Sequence, residues 1–370
     1  ARQYYREALA MEREHPEIVP EGDSSTALFL GGVLDDAEAR ERSLVRTLAE
    51  RLEASRTSIS TAQAHNALGV HYFNTGEYRA AYAEYTAAER IVARERGELD
   101  PARNALRHNL AYAAAQMGRL RDAERHARTG LDGTLRGELG PEREAGMRLA
   151  LAMALFLQDE VDGAIGETRQ AHRLFERTQG ASGAGTLRTR FSLAVLLSEA
   201  DRLDEALVVA RRTEAGHRAN GTLRESEGLM VQASIAGLRY ATGETREGLA
   251  SLRRLARGLP ADATAPTRRV VLALTGDALL ASGDAAAAEP LLRRALVAAR
   301  ESHPDAHRNV LHSRLVLGRT LSALGRHAEA RPHLEAARGH IPRITFPSTV
   351  PDVDAEIDRL LAMGQVADRG

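Results

Sequence analysis

A glycine or aspartate recurs every 40 to 42 residues through most of this chain, and no other feature restricts its fold as strongly. The seven positions are Gly76, Gly118, Asp159, Asp201, Gly243, Gly283 and Gly325. Each position stands between two stretches with helical character. Glycine adopts the left-handed backbone conformation that ends a helix without a steric clash, and aspartate tolerates it better than most residues. The repeat therefore predicts seven tight turns, each joining the two helices of an antiparallel hairpin.

Two further positions of the repeat hold only small residues. Seven residues before the turns stand Gly69, Ala111, Ala152, Ala194, Ala236, Gly276 and Gly318. Five residues after the turns stand Ala81, Ala123, Ala164, Ala206, Gly248, Ala288 and Ala330. Two closely crossing helices need small side chains where their backbones approach, because a larger side chain would force them apart. These positions predict an all-α chain in which the two helices of each hairpin touch at a pair of small residues.

The segment from Ala67 to Tyr72, followed by Gly76, Tyr78, Ala81 and Tyr85, resembles the tetratricopeptide repeat. The basic unit of that family is 34 residues. The period seen here is similar to the longer variant of kinesin light chains and of many bacterial regulatory proteins, most clearly between Ala288 and Gly318. The resemblance covers about residues 62–340. It implies a right-handed superhelical solenoid of antiparallel helix hairpins.

The seven repeats occupy residues 62–340, with first helices expected to start near residues 62, 102, 142, 186, 226, 267 and 308. Residues 1–61 are predicted to hold the end of a preceding repeat and a degenerate hairpin, whose charged helix begins at Asp35 and Asp36. The chain is thus expected to continue a longer array. Residues 341–370 are predicted to form an extended segment and a C-terminal capping helix, because solenoids need a polar terminal cap. No linker long enough to divide residues 62–340 is visible.

Composition excludes several function classes. The chain has 50 basic and 51 acidic residues and a formal charge of -1, without the basic excess of a nucleic-acid binder. All basic residues other than histidine are arginine, and cysteine is absent, so lysine Schiff bases, phosphate-loop lysines and cysteine chemistry are ruled out. The longest apolar run, Leu149 to Leu157, is far shorter than the roughly 20 residues of a membrane span.

Two clusters could carry chemistry but are better explained structurally. Gly180, Gly183 and Gly185 could form a phosphate loop, yet they follow a helix and lack a lysine, which favours an inter-repeat turn. His303, His307 and His312 could bind a metal, but Pro304 separates the first two and no zinc-enzyme pattern is present, which favours solvated histidines at a loop and helix start. We therefore expect no catalytic site, no metal and no cofactor.

The resemblance implies that the first helix of each hairpin lines a groove that binds extended or helical peptides. Carried onto this sequence, the family pattern places in the groove Gln63, Asn66, Val70, Phe73 and Asn74 of the first full unit and His108, Asn109, Tyr112 and Gln116 of the next. Asparagine and glutamine amides can pair with any peptide backbone, and the aromatic rings offer apolar pockets. The alternative is that these amides only satisfy hydrogen bonds within the repeats.

Other groove positions are less informative. Met153, Phe156 and Leu157 form an apolar stretch suited equally to a ligand pocket or to contact with the next hairpin or a fold-back of the array. His312, Arg319 and Ser322 would make the C-terminal end more basic. The clamp by which some family members grip acidic chaperone tails needs basic residues where Leu149 and Met153 stand, although Asn109 fits one of its positions. The clamp is therefore not expected here.

The sequence favours a non-enzymatic scaffold that binds proteins or peptides, as the regulatory or recruiting portion of a larger, cytoplasmic bacterial protein. The alternative is a peptide-gated sensor whose superhelix changes shape and controls a fused or partner kinase, protease or transcription factor. A sensor should compact when its peptide binds, whereas a rigid scaffold should not. An enzyme with an unrecognised site is the third hypothesis. The oligomeric state stays open.

Overall fold

The computed structural model describes residues 37–303, 305, 307–338 and 353–367. Every regular element in these ranges is an α-helix. The helices are α1 (Ala37–Ala54), α2 (Ile59–Asn74), α3 (Tyr78–Arg96), α4 (Pro101–Gln116), α5 (Leu120–Arg136), α6 (Pro141–Leu157), α7 (Val161–Gln179), α8 (Ala184–Glu199), α9 (Leu203–Ala219), α10 (Ser226–Ala241), α11 (Thr245–Arg257), α12 (Ala265–Ala281), α13 (Ala285–Ser302), α14 (Arg308–Ala323), α15 (His327–Ala337) and α16 (Val353–Ala367). The prediction of an all-α chain is confirmed.

The helices from α2 to α15 form the seven predicted hairpins, and all seven predicted turn residues have positive φ, from 58° at Asp201 to 100° at Gly243. Six of the seven turns share a backbone hydrogen bond. In the first, Glu77 N donates to the Tyr72 carbonyl at 2.8 Å, and in the last, Arg326 N donates to the Leu321 carbonyl at 2.9 Å. This bond satisfies a carbonyl that the end of the first helix would otherwise leave unpaired.

Asp201 offers a direct test of the turn assignment, because an L-residue with a side chain is strained at its φ of 58°. Asp201→Gly is expected to raise the free energy of unfolding by roughly 0.5–1 kcal/mol, since glycine relieves this strain at some cost in chain entropy. Urea unfolding followed by circular dichroism measures the change. The reciprocal Gly118→Asp should destabilise through backbone strain, because Gly118 has φ 73°. An added Cβ at Gly118 would meet nothing within 4 Å, so a steric clash does not contribute. Equal stability of all three proteins would contradict the assignment.

All fourteen small residues of the repeat are buried, as the close-contact prediction requires. A Cβ atom added to Gly69 would lie 2.7 Å from the ring of Tyr85, and one added to Gly276 would lie 2.5 Å from Leu292. The contact at Gly248 involves backbone atoms instead of a side chain, since an added Cβ would lie 2.6 Å from the backbone nitrogen of Tyr240. Small side chains at these positions therefore set the distance between the paired helices.

The chain divides into two compact units, residues 1–174 and 175–370, with the boundary inside α7. In unit one, a core cluster surrounds Ala81, Tyr85 and Leu110. In unit two, a core cluster contains Leu315 and Leu334 and extends to Ile357 of α16, which is fully buried. Hairpins of a repeat protein contact mainly their neighbours in sequence, so such cores lie one after another along each unit.

Several predicted helix ends can be compared with the structure. Asp100 caps α4 by accepting from Ala102 N at 2.8 Å, and Pro101 occupies the first helical position as expected. The predicted start at Asp35 and Asp36, the preceding repeat in residues 1–14 and the extended segment near residues 342–351 lie outside the described residues. Among the helices that are described, none combines the length and apolarity needed to cross a bilayer.

Candidate functional site

The predicted groove residues of the first two full repeats lie on consecutive first helices of unit one. We call the following nine residues the amide–aromatic face: Gln63, Asn66, Val70, Phe73 and Asn74 of α2, and His108, Asn109, Tyr112 and Gln116 of α4. Gln63, Val70 and Asn74 are exposed, and the other six are half-buried. On each helix these residues recur three or four positions apart, which places them on one side of it. The face is therefore accessible to a ligand.

An amide pair links the two helices of this face. Asn109 Nδ2 donates to Asn66 Oδ1 at 3.1 Å. The bond joins neighbouring repeats, so it differs from the alternative prediction in which the amides serve only their own repeat. The Nδ2 hydrogens of Asn66 have no acceptor among the described residues. The pair thus fixes the orientation of both amides and leaves a donor that a peptide carbonyl could use.

A pocket of about 180 Å³ opens beside this pair, lined by Phe73, Tyr85, His108, Asn109 and Tyr112. The rings of His108 and Tyr112 are 4.8 Å apart between centroids and tilted by 42°. The structure therefore brings four of the predicted residues to one pocket. Gln63, Asn66, Val70, Asn74 and Gln116 are not part of its lining.

The pocket is electrically neutral near pH 7. None of the nine residues of the amide–aromatic face is an acid or an arginine. Burial lowers the pKa of His108 below its ordinary value, and the neighbouring Asn109 carboxamide offsets only part of this decrease. His108 is therefore an uncharged imidazole at physiological pH. Burial also raises the pKa of the Tyr85 phenol, which remains protonated.

Sequence reasoning did not place Tyr85 in the site. Tyr85 comes from α3, the second helix of the first hairpin, and is 2% exposed. Its ring passes over Gly69, so the missing Cβ at Gly69 is what admits a tyrosine between the two helices. Gly146 of α6 was also missed. A Cβ atom added to Gly146 would lie 3.9 Å from the His108 ring, which is an ordinary contact distance.

Two other predicted parts of the groove can be compared with the structure. Met153 and Leu157 pack against a core cluster that contains Ala114 and Ala115, so they serve contact between hairpins. The basic C-terminal end predicted from His312, Arg319 and Ser322 was wrong. His312 is 8% and Ser322 7% exposed, and the Arg319 guanidinium is paired with the Glu356 carboxylate of α16. The extra helix neutralises this charge because it packs directly after the last hairpin.

The glycine and histidine clusters have structural roles. Gly180 has φ 74° and Gly183 is the N-cap of α8, as expected of an inter-repeat turn. The prediction of solvated histidines was wrong, since His307 is 8% exposed and its ring stacks on His303 at 3.8 Å. His307 Nδ1 accepts from Asn309 N at 3.1 Å and so caps α14. Within the described ranges, no group of three or more histidine, aspartate or glutamate residues is placed to hold a metal.

The hairpins, their left-handed turns and their buried small residues define the chain as a helical-repeat protein. More particularly, residues 270–339, which span most of the last two hairpins, match the family model described as "Tetratricopeptide repeat". The sequence comparison with curated proteins finds no match.

Solved structures with this fold share little sequence with the chain. BtubC (BKLC) from P. vanneervenii has a TM-score of 0.53 at 20% identity, covering 60% of this chain and 91% of its own. The apo form of RapI has a TM-score of 0.58 at 14% identity, covering 74% and 97%. The Rap conjugation gene regulator of plasmid pLS20, in complex with the Phr* peptide, has a TM-score of 0.52 at 16% identity, covering 75% and 73%. At these identities the likeness shows the fold.

Proposed function

We propose that the chain is a non-enzymatic scaffold that binds an extended peptide segment of a partner on the amide–aromatic face. The observation that supports this most directly is the pocket beside the Asn66–Asn109 pair. Its lining of Phe73, His108 and Tyr112 rings suits one apolar side chain, and the amides suit the adjacent peptide backbone. One structure of the same fold, the Rap regulator, holds a peptide.

The absence of charge on the amide–aromatic face determines which peptides it can bind. A charged side chain would lose its hydration in the pocket without finding an ion partner, because the face carries no acid or arginine and His108 is neutral. The peptide segment that contacts this face is therefore expected to be uncharged and to contain one apolar or aromatic residue that enters the pocket.

Tyr112→Ala tests the proposal, because it removes a wall of the pocket. Peptides are first selected from a random display library against the intact chain. Tyr112→Ala is expected to weaken their binding by about thirtyfold, as truncating an aromatic residue at the centre of an interface costs about 2 kcal/mol. Fluorescence anisotropy with the synthetic peptides measures the affinities.

The control is Arg128→Ala, which removes a long side chain that is 59% exposed on α5 and outside the face. Its affinity should equal that of the intact chain, and circular dichroism checks that both variants stay folded. The proposal fails if the library yields no binding peptide, or if Tyr112→Ala and Arg128→Ala bind the selected peptides equally.

A further inference from the structure

Three consecutive hairpins of unit two carry an arginine at the same position of their second helices, eleven residues after the turn residue. We call these residues the arginine row: Arg212 of α9, Arg254 of α11 and Arg294 of α13. All three are exposed. Equivalent positions of stacked repeats lie on the same side of the stack, so the row forms one line of positive charge across three second helices.

Ion pairs between neighbouring repeats show that these second helices lie side by side. The residue before each member of the row is also an arginine, and its guanidinium reaches a carboxylate at the start of the next second helix. The three pairs are Arg211–Glu244 at 3.9 Å, Arg253–Asp284 at 3.1 Å and Arg293–Glu329 at 3.3 Å. Glu244 and Asp284 directly precede α11 and α13, and Glu329 lies in the first turn of α15. The surface that carries the row is therefore continuous from one repeat to the next.

The arginine row itself has no acidic partner among the described residues, in contrast to the arginines that precede its members. The sequence explains why. Ion pairs along a helix form between residues three or four positions apart, and none of these positions around Arg212, Arg254 or Arg294 holds aspartate or glutamate. Arg254 Nη2 donates to the neutral Ser251 hydroxyl at 3.2 Å, which leaves its charge in place. The row thus presents three positive charges that the described part of the chain does not neutralise.

Two exposed valines lie beside the row. Val208 is four residues before Arg212 on α9 and is 50% exposed, and Val297 is three residues after Arg294 on α13 and is 58% exposed. Residues three or four positions apart share one side of a helix, so both valines face the same way as the arginines. Arginine is enriched in protein–protein interfaces, where exposed aliphatic groups also leave water. A nucleic acid would contact the row through its phosphates and leave the valines hydrated, so the surface favours a protein partner.

We propose that the arginine row and its two valines bind an acidic amphipathic helix of a partner protein. The planar guanidinium groups pair with carboxylates of the partner, and its aliphatic side chains cover Val208 and Val297. A helix presents acidic and apolar residues together on one side when they recur three or four positions apart, which matches a surface that carries both kinds of group. This surface belongs to second helices of unit two, whereas the amide–aromatic face belongs to first helices of unit one. The proposal therefore does not depend on that face.

The test uses the whole chain and a fluorescein-labelled peptide made of four Glu-Ala-Ala-Leu units and blocked at both ends. The same peptide with glutamine in place of glutamate is its neutral match. The acidic peptide is expected to bind about tenfold more tightly than the neutral one, as several exposed charge pairs together allow. This difference should decrease at high salt, because exposed charges are screened. Fluorescence anisotropy measures both affinities.

Two variants of the surface separate its charged and apolar parts. Glutamine at all three positions of the arginine row should weaken binding of the acidic peptide by about tenfold. Val208→Ala together with Val297→Ala should weaken it by about threefold, because less apolar surface is covered. The control replaces three arginines on second helices of unit one by glutamine: Arg79, Arg90 and Arg121. They too are exposed and have no ion pair among the described residues, so the control removes the same charge and should bind as the intact chain does.

Circular dichroism checks that every variant stays folded. The proposal is overturned if the acidic peptide does not bind at up to about 1 mM, or if it binds no more tightly than its neutral match. It is also overturned if the row variant and the control lose affinity equally, or if the valine variant loses none. A thymidine oligonucleotide of about 20 residues is measured in parallel. Tighter, row-dependent binding of the oligonucleotide would assign the row to a nucleic acid and contradict a protein partner.

Discussion

Gly248→Ala is expected to lower the free energy of unfolding by about 3 kcal/mol, although it adds a single methyl group. An added Cβ would lie 2.6 Å from Tyr240 N and 2.7 Å from the Ala236 carbonyl oxygen. Both are backbone atoms of α10, which cannot rotate away as a side-chain end can. The six other hairpins hold alanine at this position, so α10 and α11 must approach more closely than their equivalents. The substitution therefore has to separate two helices.

The matched control is Gly166→Ala in α7, where an added Cβ meets nothing within 4 Å. This exchange should stabilise by roughly 0.5–1 kcal/mol, because alanine loses less entropy in a helix interior than glycine does. Urea unfolding of both variants, monitored by circular dichroism, gives the comparison. A loss of stability at Gly166 as large as that at Gly248, or none at either, would show that close backbone contact is not the reason for glycine at residue 248.

Asp277 lies on α12, and Asp277→Asn is expected to change the pH dependence of stability, because burial raises the pKa of the Asp277 carboxyl. The pKa of Asp277 in the folded chain, about 7, lies above that of an unfolded aspartate, so protonation favours the fold. The stabilisation by the neutral carboxyl is fully present below about pH 4 and is lost as the pH rises to 7. The variant and the intact chain should therefore be equally stable at pH 4. Above pH 7 the variant should be more stable by about 2–4 kcal/mol.

Urea unfolding at pH 4, 5.5 and 8 measures this difference, with Asp262→Asn, at an exposed loop residue, as the control. An exposed loop carboxylate should change stability by less than about 0.5 kcal/mol at any of these pH values. If the gap between Asp277→Asn and the intact chain stays constant from pH 4 to pH 8, the carboxyl is not held in a site that disfavours its charge.

The candidate site was predictable in part. Phe73, His108, Asn109 and Tyr112 could be placed together because their helix positions follow directly from the repeat, and the structure brings them to one pocket. Tyr85 was not anticipated, since it lies on the second helix of its hairpin and reaches the pocket only across Gly69. The hydrogen bond between Asn66 and Asn109 could not be predicted from the sequence either, because two neighbouring amides need not be oriented towards each other.

The repeated residues alone determined the hairpins of this protein. A turn with positive φ and a contact between two small residues depend only on residues close together in the sequence. Residues such as Asp201 and Ala206 therefore predict the turn and the helix contact of their hairpin. The partners of long and charged side chains were decided only by the tertiary structure. Arg319 pairs with Glu356 because of where α16 packs against α14 and α15. That placement is the sum of many weak apolar contacts around Ile357, and no spacing along the chain encodes it.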